Sequence, residues 1–397
     1  MMEKRLWRGL FSCLWLAALM CAMSASRASA AGDVFKGGMI RVSLRGVIEY
    51  DDNVFGAPDN ASKEDSWRTV LKGRISLNTS SESLYASLIY EPAYSAFTDI
   101  SQEDFVQDLN AMVRYNVSER LKVALKEHFI DNKFSDLGDV LDVRDSNDEY
   151  TYNRAMLDFS YYWTPKFSTT VDVGCDYYKY DDFRESLDFE RWAVDGTVAA
   201  SYQLNKRLDL TTRYRYRTVE FDDPEDKDLD THYGTAGVRW RITERLTADC
   251  RAGVNVADSS ETGDSVEPAV NAALSSRLSR STNAKIGVSH AFTETEREYA
   301  VASRSSVTGM IDHSFTRKTS AKVVAAYKLF DFEGEDSLAG GEDGDETWID
   351  VSVTVRHALD PERISVFAYY GLTDVSTDFD EGGYTRNRAG LGVVGTF

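Results

Sequence analysis

Strict alternation of apolar and polar side chains over stretches of ten or more residues is the feature that most limits the fold of this chain. In residues 40–50 the two alternating sets are Ile40, Val42, Leu44, Gly46, Ile48 and Tyr50 against Arg41, Ser43, Arg45 and Glu49. Successive side chains point to opposite faces of a strand, whereas a helical face repeats every 3.6 residues. The same period of two recurs in residues 67–78, 208–217, 246–256 and 349–356. The pattern therefore predicts an all-β fold.

The number and spacing of these stretches predict eighteen strands between residues 39 and 397. Short turns such as 118–120 and 205–207 alternate with longer acidic connections such as 219–230 and 331–346. A propeller blade holds four strands, whereas each repeat of about 40 residues here holds one hairpin of long strands. Such strands, tilted by about 40°, cross an apolar band of about 25 Å. Pro92 and Pro268 fall inside predicted strands, where each removes a ladder hydrogen bond.

Three features favour a membrane barrel over a soluble sandwich, which also alternates along its strands. The polar face combines Arg and Lys with small residues, the last strand runs to Phe397, and aromatic residues fall on the apolar face near strand ends. In lipid only closure satisfies every backbone group, and aromatic girdles mark both interfaces. The expected girdle near the short turns is Trp163, Phe167, Tyr202, Trp240, Phe315 and Phe397, and the one near the long loops is Tyr50, Trp67, Tyr152, Trp192, Tyr216 and Phe292.

We therefore expect an up-and-down antiparallel transmembrane β-barrel of about 18 strands, with short periplasmic turns and long acidic extracellular loops. Residues 1–30 have the pattern of a secretory signal peptide, with Lys4, Arg5 and Arg8 before an apolar stretch and a cleavage site near Ala30. Residues 31–38 are then a short periplasmic tail, and residues 39–397 form the barrel in the bacterial outer membrane. Beyond residue 30 the sequence has no apolar run long enough for a transmembrane helix.

Cations dominate the side of the strands that is expected to face the lumen. One group lies on strands 1, 2 and 18, which closure would bring together: Arg41, Arg45, Arg68, Lys72, Arg74, Arg386 and Arg388. A second group lies on strands 9 to 11: Arg213, Arg215, Arg217, Arg239, Arg241 and Arg251. These residues either pair with inward carboxylates and brace the wall, or form a positive pore lining that favours anionic solutes. A barrel of 16–18 strands is wide enough for an aqueous channel.

The sequence predicts no catalytic, cofactor-binding or metal site, and we do not expect an enzyme. Four of the five histidines fall on the apolar face near strand ends, where amphipathic side chains are common. The acidic run 341–346 is either a solvated loop or a site for Ca²⁺ or for divalent cations shared with lipopolysaccharide. The net charge of −20 excludes a basic surface for nucleic acid. Cys175 and Cys250, the two cysteines after residue 30, are expected four strands apart and therefore unbonded.

Two segments resemble known families. The first strand ends in Tyr50-Asp51-Asp52-Asn53-Val54-Phe55, which is similar to a stretch in the families described as putative outer-membrane β-barrel porins. The last strand, with Gly392 and the terminal Phe397, resembles the signal read by the barrel assembly machinery, but Gly390 and Gly395 depart from it. The resemblance implies outer-membrane lipid, lipopolysaccharide and that machinery as partners. Together with the cationic lumen, it leads us to expect a porin for hydrophilic, anionic solutes; the alternative is an exopolysaccharide export barrel with periplasmic partners.

Overall fold

The computed structural model describes residues 39–98, 100, 103–132, 149–181, 190–221, 229–259, 263–294, 301–332, 344–361, 363–378 and 382–397. The expected signal peptide, the periplasmic tail and the centres of several acidic loops, including residues 341–343, lie outside these ranges. In the described part no helix could cross a membrane.

Eighteen antiparallel strands form one closed sheet, as the alternation predicted. Each strand pairs with its neighbours in sequence, and β1 pairs with β18. The strands are β1 (Met39–Asp51), β2 (Ser66–Ser80), β3 (Leu84–Phe97), β4 (Glu103–Asn116), β5 (Leu121–Asn132), β6 (Glu149–Thr164), β7 (Phe167–Asp181), β8 (Glu190–Asn205), β9 (Leu208–Phe221), β10 (Leu229–Arg241), β11 (Leu246–Ser259), β12 (Gly263–Arg277), β13 (Thr282–Glu294), β14 (Val301–Ser314), β15 (Thr319–Phe332), β16 (Gly344–Asp360), β17 (Ile364–Thr377) and β18 (Tyr384–Thr396).

Short turns close one end of the barrel, the turn end, and a hydroxyl or amide side chain fixes the backbone of each of several turns. Thr164 Oγ1 accepts hydrogen bonds from the backbone N–H groups of Lys166 and Phe167. Ser118 and Thr243 do the same in their turns. Such side chains replace a backbone partner in a tight turn. The opposite end, the loop end, carries the long connections.

The outer face of the barrel is apolar, with exposed aromatic residues near both ends. Trp163, Tyr202, Trp240 and Phe315 are exposed near the turn end, and Trp67 and Tyr216 near the loop end. The expected girdle position is wrong for two residues. Tyr152 shares the inner face of β6 with Arg154, and its ring lies 4.4 Å from that of Tyr178. Phe292 packs against residues of the inner face, because the β12–β13 ladder ends before it.

Closure is completed by the last residue of the chain. The backbone N–H of Phe397 donates to the carbonyl of Val42, and the N–H of Val42 donates back. Gly390 and Gly392 face the lumen on β18 opposite Tyr369 and Phe367 of β17, and the two rings lie over the glycines. A Cβ atom at residue 392 would lie 2.3 Å from Cζ of Phe367. These glycines therefore make room for aromatic rings beside the β1–β18 seam.

Cys175 and Cys250 are both free, as expected from their separation on β7 and β11. The histidines of the outer face hydrogen-bond to hydroxyl side chains of the neighbouring strand. His313 contacts Thr282 at 2.8 Å, and His357 contacts Thr319 at 2.9 Å. These contacts agree with amphipathic side chains at the interface of the membrane.

Candidate functional site

The register of the seam divides the first group of cations into two. Arg45 pairs with Val394 on β18, and Arg388 lies six residues earlier on that strand, beside Asp51. At about 3.3 Å per residue this is a separation of about 20 Å along the strand. The expectation that Arg386 and Arg388 lie beside Arg41 and Arg45 is therefore wrong. Antiparallel pairing places Arg386 and Arg388 at the loop end, whereas Arg41 and Arg45 lie nearer the turn end.

At the loop end the seam cations are matched by buried carboxylates. Arg68 is buried and hydrogen-bonds to Glu49 of β1, which is also buried. Arg386 donates from Nε to both oxygens of Asp51, at 3.0 Å each, and Asp51 is fully buried. Charge-assisted pairs of this kind hold strands in place. At the loop end of the seam, Arg68 and Arg386 therefore pair with inward carboxylates and brace the wall, which is the first of the two alternatives expected from the sequence.

The first loop completes this bracing by packing over β18. Asp52 accepts hydrogen bonds from the backbone N–H and the side chain of Asn387. Asp59 accepts from the N–H of Thr385 at 3.0 Å and lies 2.6 Å from Nζ of Lys63. The hydrogen bond from Lys63 and the one from Thr385 hold the pKa of Asp59 below its usual range. The YDDNVF segment therefore begins a loop that is anchored to β18 through Asp52 and Asp59.

Arg217 of the second group is part of a buried network that spans four strands. It donates from Nη1 and Nη2 to the two oxygens of Asp176, at 2.8 Å each, and lies 3.5 Å from Asp195. Arg154 contacts the same two carboxylates at 3.4 and 2.7 Å. Sequence reasoning missed Arg154, Asp176 and Asp195. Their inward positions near the loop ends of β6, β7 and β8 were the available signal.

The turn half is the half of the lumen next to the short turns. Two carboxylates of the turn half each lie between two cations. Glu91 lies 3.6 Å from Lys72 and 3.1 Å from Arg74. On the opposite wall, Asp249 lies 3.0 Å from Nε of Arg239 and 3.2 Å from Nε of Arg251. Each group of three keeps a net positive charge.

In the turn half, most cationic side chains are more exposed to the lumen than the carboxylates are. In the described strands its inward carboxylates are all only half-exposed: Glu91, Asp108, Asp158, Asp172, Asp209, Asp249 and Asp312. The exposed charged side chains of the same surface are cations: Arg41, Arg45, Arg74, Arg114, Lys126, Arg213, Arg239, Arg241, Arg277, Lys285, Lys322 and Arg356. Arg45 also lies over the ring of Phe367, 4.5 Å from its centroid. Arg215 and Arg251 are half-exposed.

Apolar side chains also face inward near the loop end. One buried cluster contains Ala302, Phe330, Phe332, Trp348 and Val375, with Tyr384 against it. A second contains Ala193, Val219, Leu229 and Ala257, with Phe292 against it. The inner face therefore has an apolar zone near the loop end and a cationic zone in the turn half. Within the described ranges, no three His, Cys, Asp or Glu side chains are grouped as metal ligands.

Residues 222–397, somewhat under half of the chain, match the family described as Putative beta-barrel porin 2. Comparison with curated proteins gave no match. Similar solved structures include OpdQ of Pseudomonas aeruginosa, with TM-score 0.49 and 13% identity over 91% of this chain and 98% of that one. OccAB3 of Acinetobacter baumannii has TM-score 0.47 and 11% identity, covering 91% and 99%.

The unliganded ferric citrate transporter FecA has TM-score 0.49 and 10% identity, covering 85% of this chain. This chain spans only 60% of the length of that transporter. The family match confirms the expected resemblance to outer-membrane β-barrel porins, and its description names a porin.

Proposed function

We propose that this porin-like β-barrel of the outer membrane is a passive channel that prefers hydrophilic anionic solutes. The observation that carries the proposal is the sorting of charge in the turn half. Its exposed charged side chains are Arg and Lys, and its carboxylates lie half-exposed between them. Rings of cations on a pore wall favour anions.

The two shared carboxylates explain why the wall stays positive. Glu91 has two cationic partners, and so has Asp249. Because one carboxylate neutralises one cation, each group leaves one positive charge for a passing ion. Charges on the acidic loops are screened over about 8 Å at physiological salt, so the wall acts on a permeating ion at closer range.

Reversal potentials in planar bilayers under a KCl gradient test this function. We expect a preference for Cl⁻ in the purified wild type. Replacing Arg45, Arg74 and Arg239 with Ser should reduce the preference, because these side chains are exposed on the inner face. A matched control replaces Arg120, Arg245 and Arg317 in the short turns with Ser, which removes the same charge outside the pore. A preference for K⁺ in the wild type, or an equal loss in both triple variants, would contradict the proposal.

A further inference from the structure

The wall of the barrel is discontinuous between β12 and β13 at the loop end. The ladder between these strands runs from Arg277↔Asn283 to Val270↔His290 and ends there. Beyond that point β12 still pairs with β11 up to Gly263, and β13 still pairs with β14 up to Glu294. In the continued register Phe292 would pair with Pro268. Proline has no N–H to donate to a ladder. Pro268 therefore offers no donor where the β12–β13 ladder would continue, and the pairing ends.

Past this break, the outer face of the β13–β14 hairpin meets the inner face of the barrel. Phe292 follows Ile286 and Val288 on the outer face of β13, yet it packs against the inward cluster of Ala193, Val219, Leu229 and Ala257. Ala269, on the inner face of β12 beside the break, is completely buried. Both facts place the end of the hairpin inside the wall formed by β12.

Polar contacts give the same placement. Ser303 lies on the outer face of β14 and donates from Oγ to Oε2 of Glu267, at 2.9 Å. Glu267 lies on the inner face of β12, and its Oε2 is also 3.6 Å from Nε2 of His290. In an unbroken wall, strands two apart are separated by about 10 Å, and these side chains would point to opposite faces. The direct contact requires that the hairpin end has moved inward.

We propose that this inward end of the hairpin, residues 291–294 of β13 and 301–303 of β14, forms the constriction of the channel, with Phe292 as its size-limiting residue. The inference rests on the proposed channel function. The hairpin end lies between two apolar clusters, since Phe292 contacts one and Ala302 belongs to the other. It therefore narrows the loop end of the lumen and excludes larger hydrophilic solutes there.

Cross-linking of introduced cysteines tests the position of the hairpin without any measurement of conduction. The protein is the full barrel with Cys175→Ser and Cys250→Ser, and the test pair is Glu267→Cys with Ser303→Cys. The contact between Ser303 and Glu267 is made through the long Glu side chain, so a direct disulfide, which needs Cβ atoms about 4 Å apart, is replaced by a short bifunctional thiol reagent. The reagent should join this pair and give a faster band on a gel of unfolded protein. The control pair, Asn271→Cys with Val307→Cys, lies on the same strands and faces where the ladder is intact. It should stay unjoined. Absence of the first cross-link in correctly folded barrel overturns the proposal.

Liposome swelling with sugars of increasing size tests the function of the constriction. Phe292→Ala should shift the size limit to larger sugars, whereas Phe315→Ala, which removes an exposed ring at the turn end, should leave it unchanged. Heat-modified mobility on gels verifies that both variants are folded. An unchanged limit in Phe292→Ala overturns the constriction, even if the cross-link forms. A wild type that admits no sugar and no ion would overturn the channel function itself, and the constriction with it.

Discussion

The guanidinium of Arg217 on β9 reaches over β8 and donates two hydrogen bonds of 2.8 Å to the carboxylate of Asp176 on β7. Both side chains are almost fully buried. The intervening strand contributes Asp195 to the same network, and β6 contributes Arg154. Four consecutive strands are thereby tied together inside the wall. This contact is a brace, although Arg217 lies on the same strand face as Arg213, which is exposed to the lumen.

Arg217→Ala should destabilise the barrel strongly, because it leaves two buried carboxylates with Arg154 as their shared partner. Removing one partner of a buried pair costs about 3–5 kcal/mol. Arg213→Ala, two residues earlier on β9, is the control and should change the free energy of unfolding by less than about 1 kcal/mol, since its side chain is exposed. Urea unfolding of the two variants in vesicles, followed by tryptophan fluorescence, checks this prediction. Equal stabilities would show that the network does not brace the wall.

Neutralising the shared carboxylates should increase the preference for anions. In the variant Glu91→Gln with Asp249→Asn, the partners Lys72, Arg74, Arg239 and Arg251 keep their charges and lose their counter-ions. We expect the reversal potential to shift towards that of Cl⁻. Asp131→Asn is the control, because Asp131 contacts Gln107 on the outer face of the barrel. A shift towards K⁺ in the double variant would mean that other charges set the selectivity.

The sequence predicted the architecture well because it depends on a local pattern. A period of two fixes which side chains share a face, and alternating short and long connections fix the pairing of neighbours. The braces were not predictable in the same way. Whether Arg68 or Arg217 faces a solute depends on carboxylates such as Glu49 or Asp176, which lie on other strands. Their heights follow from a register that no local pattern contains.

The errors have the same origin. The cations of β1 and β18 were expected together because closure makes the strands neighbours, but antiparallel register places Arg388 beside Asp51 instead of Arg45. Phe292 follows the alternation of β13 and would face lipid in a regular wall. Pro268 lies on the neighbouring strand β12 and has no N–H to donate. The β12–β13 ladder therefore ends at His290, and the end of the β13–β14 hairpin can turn inward. The irregularity of Pro268 was visible in the sequence, but its effect on another strand was not.

The link between the first loop and β18 should persist to unusually low pH. The pKa of Asp59 is lowered by the hydrogen bonds from Lys63 and from the N–H of Thr385. A carboxylate with a lowered pKa in the folded state stabilises that state fully above the ordinary Asp pKa of about 3.9, and the contribution is lost as pH falls through the lowered value. The amide resonance of Thr385 should therefore be constant from pH 8 to pH 5 and titrate with a midpoint below 3.9. In Asp59→Asn that titration should be absent. A midpoint at or above the ordinary value would show that the contacts do not favour the charged form.

The two glycines of β18 should differ in how their substitution can be rescued. The three atoms nearest to a Cβ at residue 390 would all belong to the side chain of Tyr369, with Cε1 at 2.5 Å, whereas a Cβ at residue 392 would also lie 2.7 Å from the backbone carbonyl of Gly46 on β1. Gly390→Ala should therefore lower the yield of folded barrel, and adding Tyr369→Ala should restore it. Gly392→Ala should lower the yield more, and adding Phe367→Ala should restore it only in part, because the carbonyl cannot rotate away as a ring can. The heat-modifiable fraction of the outer-membrane protein measures the yield. Full rescue of Gly392→Ala by Phe367→Ala would mean that packing against the ring alone requires this glycine. No rescue of Gly390→Ala by Tyr369→Ala would instead favour a direct role of the terminal strand's sequence as an assembly signal.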